Sequence, residues 1–178
     1  MIISVAEVRS EINDFKDWSD AKIERKLKAI EDTIRSHTNN RFQNRNIRLR
    51  CPIVAQRLYG VHSALKVGDT VQVTGSQFND GLYVIKSIED NMIEVDVALI
   101  DEAEVMITKV IYPADVVECA LDMLEYELNK PDASKRGIQS ETLSRHSITY
   151  AQPSDANMEK GYPKDIMDAL QPYMKARF

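Results

Sequence analysis

Four carboxylates, Asp115, Glu118, Asp122 and Glu125, recur three, four and three residues apart, and on a helix that spacing brings them to one side. Paired carboxylates do acid-base chemistry when their surroundings hold the two pKa values apart. No such asymmetry is legible around this stripe. An acidic stripe opposite an apolar one reads instead as a solvated face, or as a surface that pairs with basic residues of a neighbouring copy, Lys22, Arg25 or Lys26.

Other chemistries fare no better. His37, His62 and His146 fall in different segments, and none has a second ligand type at metal-binding spacing. Ser140 and His146 lack a nucleophile elbow and a third orienting group. The glycines of 68-GDTVQVTG-75 suggest a phosphate loop, but no Gly-Lys-Ser/Thr follows and the segment reads as strand. Cys51 and Cys119 are far apart in unlike contexts, so buried reduced thiols are expected rather than a disulfide or zinc site. The chain is therefore expected not to be an enzyme and to need no cofactor or metal. One basic cluster stands out: Arg41, Arg45, Arg48 and Arg50 in 41-RFQNRNIRLR-50, with Phe42 interleaved. It suits a phosphate backbone or an acidic protein surface.

The elements that carry these residues follow from periodicity. Ser4 and Glu7 have capping-box spacing, and Val5, Val8, Ile12 and Phe15 continue as a short helix. Ser19 caps a second helix with the stripe Ile23, Leu27, Ile30 and Ile34, stopped at Asn39-Asn40. From Ile47 the period changes, and residues 51–110 read as an inserted β-module. The segments 70-TVQV-73, 82-LYVIKSI-88, 92-MIEVDV-97 and 104-EVMITKVI-111 are short and β-branched, with Asn79-Asp80-Gly81 and Asp90-Asn91 between them. Such evenly spaced short strands predict a small closed or nearly closed barrel. Pro113 opens a third helix with Val116, Val117, Ala120, Leu121, Leu124 and Leu128 on its apolar face. After a linker at 131–139 and a polar strip, 137-GIQSETLSRHSITYA-151, Pro163 introduces a last helix carrying Ile166, Met167, Leu170 and Tyr173, which Pro172 kinks or ends.

The fold class expected is α+β, a small helical bundle of residues 1–50 and 111–178 with an inserted β-module at 51–110. A length of 178 residues admits one sizeable core plus a satellite module. Apolar residues at 43% and charged residues at 29% are ordinary globular proportions. The net charge of −5 disfavours a general phosphate-binding surface. The N-terminal MIISVAEV lacks a basic n-region, and no apolar run approaches the roughly 18 residues of a membrane span. A soluble intracellular protein is expected.

In this order the elements resemble the head-tail connector, or adaptor, family of tailed bacteriophages. The resemblance is carried by the opening helix pair ending near 39-NNRF-42, by 113-PADVVECALDMLEYELNK-130, by Ser140-Glu141 leading into 147-SITYA-151, and by 162-YPKDIMDALQPYMKARF-178. It covers residues 1–50 and 111–178, whereas the β-module departs from the minimal family pattern. What it implies is a ring, usually dodecameric, that binds under the portal and extends the DNA channel towards the tail, with a stopper or tail-completion protein downstream and DNA only as passing cargo. The implied location is the head-tail interface of the virion, after assembly in the host cytoplasm, with no membrane involved. Residues Ser147, Ile148, Thr149 and Tyr150 would then lie extended at a subunit interface, and the acidic stripe would face the channel or a neighbour. Tyr173, Met174, Lys175, Arg177 and Phe178 would leave the bundle as an arm that binds the portal.

Overall fold

In 47-IRLRCPIV-54 the odd positions are all apolar and Arg48 and Arg50 alternate with them, the period of a half-buried strand. The computed structural model, which describes residues 1–12, 17–130, 140–143, 146–149 and 157–176, places there a 12-residue strand, β1 (Gln43–Val54). With β2 (Arg57–Tyr59), β3 (Thr70–Thr74), β4 (Gly81–Glu89), β5 (Met92–Val95) and β6 (Glu102–Val110) it closes a six-stranded antiparallel barrel in the order β1-β2-β5-β4-β3-β6, with β6 pairing back to β1. The expected strands correspond to β3 to β6, and closure leaves this sheet without a free edge.

The barrel starts earlier than the sequence suggests. One compact unit comprises Met1–Ser4 with Asn39–Pro113, and the other Val5–Thr38 with Ala114–Phe178. Residues 43–50, expected among the helices, belong to β1 because Ile47 and Leu49 pack on the barrel core while Arg48 and Arg50 point outward. Cys51, Ile53, Leu58, Val71, Ile85 and Ile107 fill the interior. Each fully buried aliphatic contributes roughly 1.5–3 kcal/mol. Two loop residues, Leu65 and Leu99, join the same core. The β1–β6 register shifts between Gln43 and Arg48 and again between Cys51 and Ile53. The second irregularity coincides with Pro52, which has no N–H to give a ladder.

The second unit is helical with small hairpins. In α2 (Asp20–Thr38), Ile23, Leu27, Ile30 and Ile34 are fully buried, as the stripe predicts. Ser19 accepts the Lys22 N–H at its start, and Asn39 at φ 48° ends it. The buried face of α3 (Ala114–Asn129) is Val116, Cys119, Ala120, Met123 and Leu124. Val117, Leu121 and Leu128 lie on its flanks, because the 3.6-residue period carries the stripe from 116 through 119/120 and 123 towards Glu127. There Glu127 is held by Lys26 of α2 at 2.6 Å and by Lys130 at 3.1 Å. Burial pushes the Glu127 carboxyl pKa up, but the two lysines together outweigh it and hold the value below the usual range.

α1 (Val5–Glu11) buries Val8 and is tied by Arg9 to Asp20 at 2.7 Å. Two short hairpins follow α3: β7 (Ser140–Leu143) with β8 (His146–Thr149), and β9 (Met158–Glu159) with β10 (Tyr162–Pro163). The polar strip thus contains a strand pair, with Ser140 opposite Thr149 and Glu141 opposite Ile148, where a single extended connection was expected. The last helix, α4 (Lys164–Asp168), is only five residues long. Met167 and Leu170 are fully buried, and Pro172 sits in a 3-10 turn at Gln171–Tyr173. Among the described residues no helix is long and apolar enough to cross a membrane.

Candidate functional site

At one end of the barrel three loops, 55–56, 75–80 and 96–101, are braced chiefly by Glu102, Asn79 and Asp101, while Asp80 accepts the Ser76 N–H at 2.8 Å and Asp96 the Val84 N–H at 2.9 Å. Glu102, at the start of β6, accepts hydrogen bonds from the Ser76 hydroxyl, from the Gln77 and Phe78 backbone N–H groups at 3.0 and 3.1 Å, and from the Asn79 side-chain amide at 2.6 Å. These donors, the Ser76 hydroxyl first, hold its carboxyl below the usual glutamate range.

Asn79 is 3% exposed and joins two loops. Its amide donates to the Ile100 carbonyl at 2.9 Å and its oxygen accepts the Ile100 N–H at 2.8 Å. Its own carbonyl accepts the Tyr83 hydroxyl at 3.0 Å. The brace is complete because a buried amide left unpaired would cost the desolvation of each polar atom.

Asp101 braces the third loop. Ala55 and Gln56, between β1 and β2, have φ 51° and 66°, a left-handed conformation that neither side chain favours. The two turn N–H groups donate to the Asp101 carboxylate at 3.1 and 2.8 Å. A two-residue hairpin with both φ positive matches the strand twist, so Asp101 holds a turn that its own residues resist.

The braced loops display apolar side chains. Phe78 is 61% exposed, Ile100 54%, Val97 52% and Val54 51%, while Leu99, between two of them, is buried in the barrel. Exposed carboxylates of Asp80, Asp96 and Asp101 sit in the same loops. This end lies opposite the one where the chain enters the barrel at Gln43 and leaves it at Val110. Because the loop polar groups are already paired internally, less conformational freedom is left to lose when a partner covers this end.

On the outer face of β1, β3 and β6 an open groove of about 380 Å³ is lined by Arg41, Arg48, Arg50, Thr74, Glu104 and Met106, among others. Arg48 donates to the Thr108 hydroxyl at 3.1 Å, and Arg50 lies 3.3 Å from Glu104 with both side chains well exposed. Three of the four arginines of the basic cluster therefore converge on the groove. Arg45 is exposed in the irregular stretch of β1 between Gln43 and Arg48.

The other sequence-expected residues are distributed as follows. Asp115, Glu118, Asp122 and Glu125 are all exposed on α3, as the spacing implies. The Tyr173 hydroxyl donates to Asp115, so a residue expected in the arm meets the acidic stripe of its own unit. The Lys175 N–H also donates, to the Thr38 carbonyl at 2.8 Å. Residues 173–175 thus follow the helical unit, because these two bonds hold the chain beyond Pro172. Of the basic residues considered for the stripe, Lys22 lies over the Trp18 ring at 3.8 Å and Lys26 pairs with Glu127. Ser147, Ile148 and Thr149 are in β8. Tyr150, Arg177 and Phe178 lie outside the described residues.

Cys51 and Cys119 are free and buried, and burial pushes both thiols up to about 11. Among the described residues no group of three or more His, Cys, Asp or Glu could hold a metal ion. Sequence reasoning missed the loop platform: Asn79 signalled only a turn, and Glu102 is joined to its donors from more than 20 positions away. The available signal was Ser76-x-x-Asn79 ahead of Asp80-Gly81, a segment rich in side chains that bond nearby backbone. No protein-family model matches the sequence, and no curated protein matches it.

Proposed function

We propose that this protein is a structural head-tail connector of a tailed bacteriophage, a non-enzymatic adaptor whose copies form a ring under the portal and extend the DNA channel towards the tail. In this reading the helices are the small bundle of the family and the barrel is an insertion into it. The partners are the portal protein, a downstream stopper or tail-completion protein, and further copies of the chain, twelve of them in the virion by the family resemblance. DNA is passing cargo, no membrane is involved, and the protein moves from host cytoplasm to the virion. The acidic stripe of α3 then serves as a channel wall that phosphate does not stick to, or pairs with a neighbour.

The observation that carries this reading is the loop platform. Exposed Phe78, Ile100 and Val97 stand on loops braced by Glu102, Asn79 and Asp101, and exposed Val54 ends β1 at the same end of the barrel. Assembly interfaces draw most of their energy from a few such apolar anchors, and anchors held in place beforehand bind more tightly. The β7–β8 hairpin adds support, since a two-stranded sheet is marginal alone and offers edges for strand addition by a neighbouring copy. Mixing the purified protein with portal rings and sizing the product tests the proposal. A stable co-migrating complex is expected, and failure to bind portal under conditions where the portal is a closed ring contradicts it.

A second reading is a nucleic-acid-binding module, favoured by the convergence of Arg41, Arg48 and Arg50 on one groove. Glu104 within that groove and the net charge of −5 weigh against it. It requires DNA affinity that falls with salt, with a log-log slope of about −3 for three phosphate contacts.

A further inference from the structure

We propose that the loop platform of one copy docks into the arginine-bearing groove of a second copy, making a head-to-tail interface between barrels. This inference rests on the reading of the protein as a self-assembling connector and names the surfaces by which its copies join.

The charge pattern selects the occupant. Asp80, Asp96 and Asp101 share the platform loops with the exposed apolar residues. Two platforms placed face to face would set these carboxylates against each other, and like charges across an interface disfavour that pairing. The groove offers the complement: three guanidinium groups beside Thr74 and the side chain of Met106. Arginine suits the task because its planar fork meets carboxylates bidentately, and methionine adapts to an incoming apolar group.

The Arg50–Glu104 pair does not block the groove. Its side chains are 68% and 64% exposed, and exposed pairs are worth little, so a platform carboxylate exchanges with Glu104 readily. Platform and groove are unlike patches on different elements of one barrel, the loops of one end and the outer face of β1, β3 and β6. An interface between unlike patches is heterologous, and repeated copies either close into a ring or run on as a filament.

The test is complementation by sedimentation of the full chain. One variant, Phe78→Asp, removes the platform anchor. The other, Arg41→Glu with Arg50→Glu, reverses the groove while keeping the Arg48–Thr108 bond. Wild-type protein is expected to self-associate with rising concentration, and each variant alone to associate about tenfold more weakly or worse. An equimolar mixture of the two restores a single intact interface and is expected to stop at a dimer. Circular dichroism checks that each variant is folded; Ile100→Asp and Arg48→Gln replace either one that is not.

Wild-type protein that stays monomeric at every concentration overturns the proposal, as does a mixture that forms nothing or variants that associate like wild type. Loss of DNA binding in the groove variant with unchanged self-association also overturns it, by making the groove a nucleic-acid site. Portal binding is measured separately in the same preparations. Portal binding without platform-dependent association would leave the connector reading standing and remove only this interface.

Discussion

The Tyr173 hydroxyl lies 2.6 Å from both carboxylate oxygens of Asp115, 58 positions earlier in the chain. The hydrogen bond to Asp115 is the main cause that raises the tyrosine pKa above its ordinary 10.0. Because the folded protein holds the proton more tightly, this contribution to stability is complete below the ordinary value and is lost as pH rises through the raised one. A tyrosinate absorbance titration of wild type against Tyr173→Phe isolates the group. Its midpoint is expected above the ordinary value in wild type, and lower when Asp115→Asn removes the charge. A midpoint unaffected by Asp115→Asn contradicts the pairing.

This bond refines how the C-terminal segment meets a partner. Tyr173 is engaged at home, and Lys175 is held through its backbone N–H, whereas Met174 is 53% exposed. Met174→Asp keeps both ties intact and changes the side chain that is presented. Portal affinity is expected to fall by about tenfold or more if the segment is an anchor, with the melting temperature unchanged. Unchanged affinity in a pull-down series would assign portal attachment to the helices or the barrel instead.

Acid should loosen the loop platform before it unfolds the barrel. The Glu102 carboxyl is held below its ordinary 4.5 by donors from Ser76, Gln77, Phe78 and Asn79. A depressed folded pKa gives stabilisation that is complete above the ordinary value and is lost as pH falls through the folded one. The Gln77 and Phe78 amide resonances are expected to shift and exchange faster below the ordinary glutamate range, while strand amides of β3 and β6 hold. In Glu102→Gln the same change should appear at neutral pH. Loop amides that respond only with global unfolding would contradict this brace.

The turn between β1 and β2 can be improved. Ala55 and Gln56 adopt positive φ against their preference, and Asn-Gly is the pair that this turn favours. Ala55→Asn with Gln56→Gly is expected to raise stability by about 1 kcal/mol. Asp101→Ala, which leaves two exposed turn N–H groups to water, is expected to lower it by about 0.5–1.5 kcal/mol. Chemical denaturation of the two variants checks the opposite signs. Destabilisation by the Asn-Gly pair would show that the turn is not strained.

Long-period and short-period patterns in the sequence determine most of the fold. The Ile23-Leu27-Ile30-Ile34 stripe, the Ser19 cap and the β-branched segments of β3 to β6 each carry their own signal. β1 is only half legible: Arg48 and Arg50 alternate with Ile47, Leu49 and Cys51 as in a half-buried strand, but Pro52 argues against a strand interior. The stripe on α3 was legible as a face, but not Tyr173 upon Asp115. The platform was not legible, since it depends on closure of the barrel bringing Glu102 and Asp101 beside loops distant in sequence. Local periodicity holds no record of such pairings.

On the proposed reading, copies of this chain assemble on a portal. The most direct measurement is native mass spectrometry of portal rings incubated with an excess of the protein, alongside DNA-binding titrations at several salt concentrations. A ring of twelve copies on the portal and no more than weak affinity for free DNA are expected. Portal rings recovered bare, together with DNA binding that strengthens as salt is lowered, would contradict it.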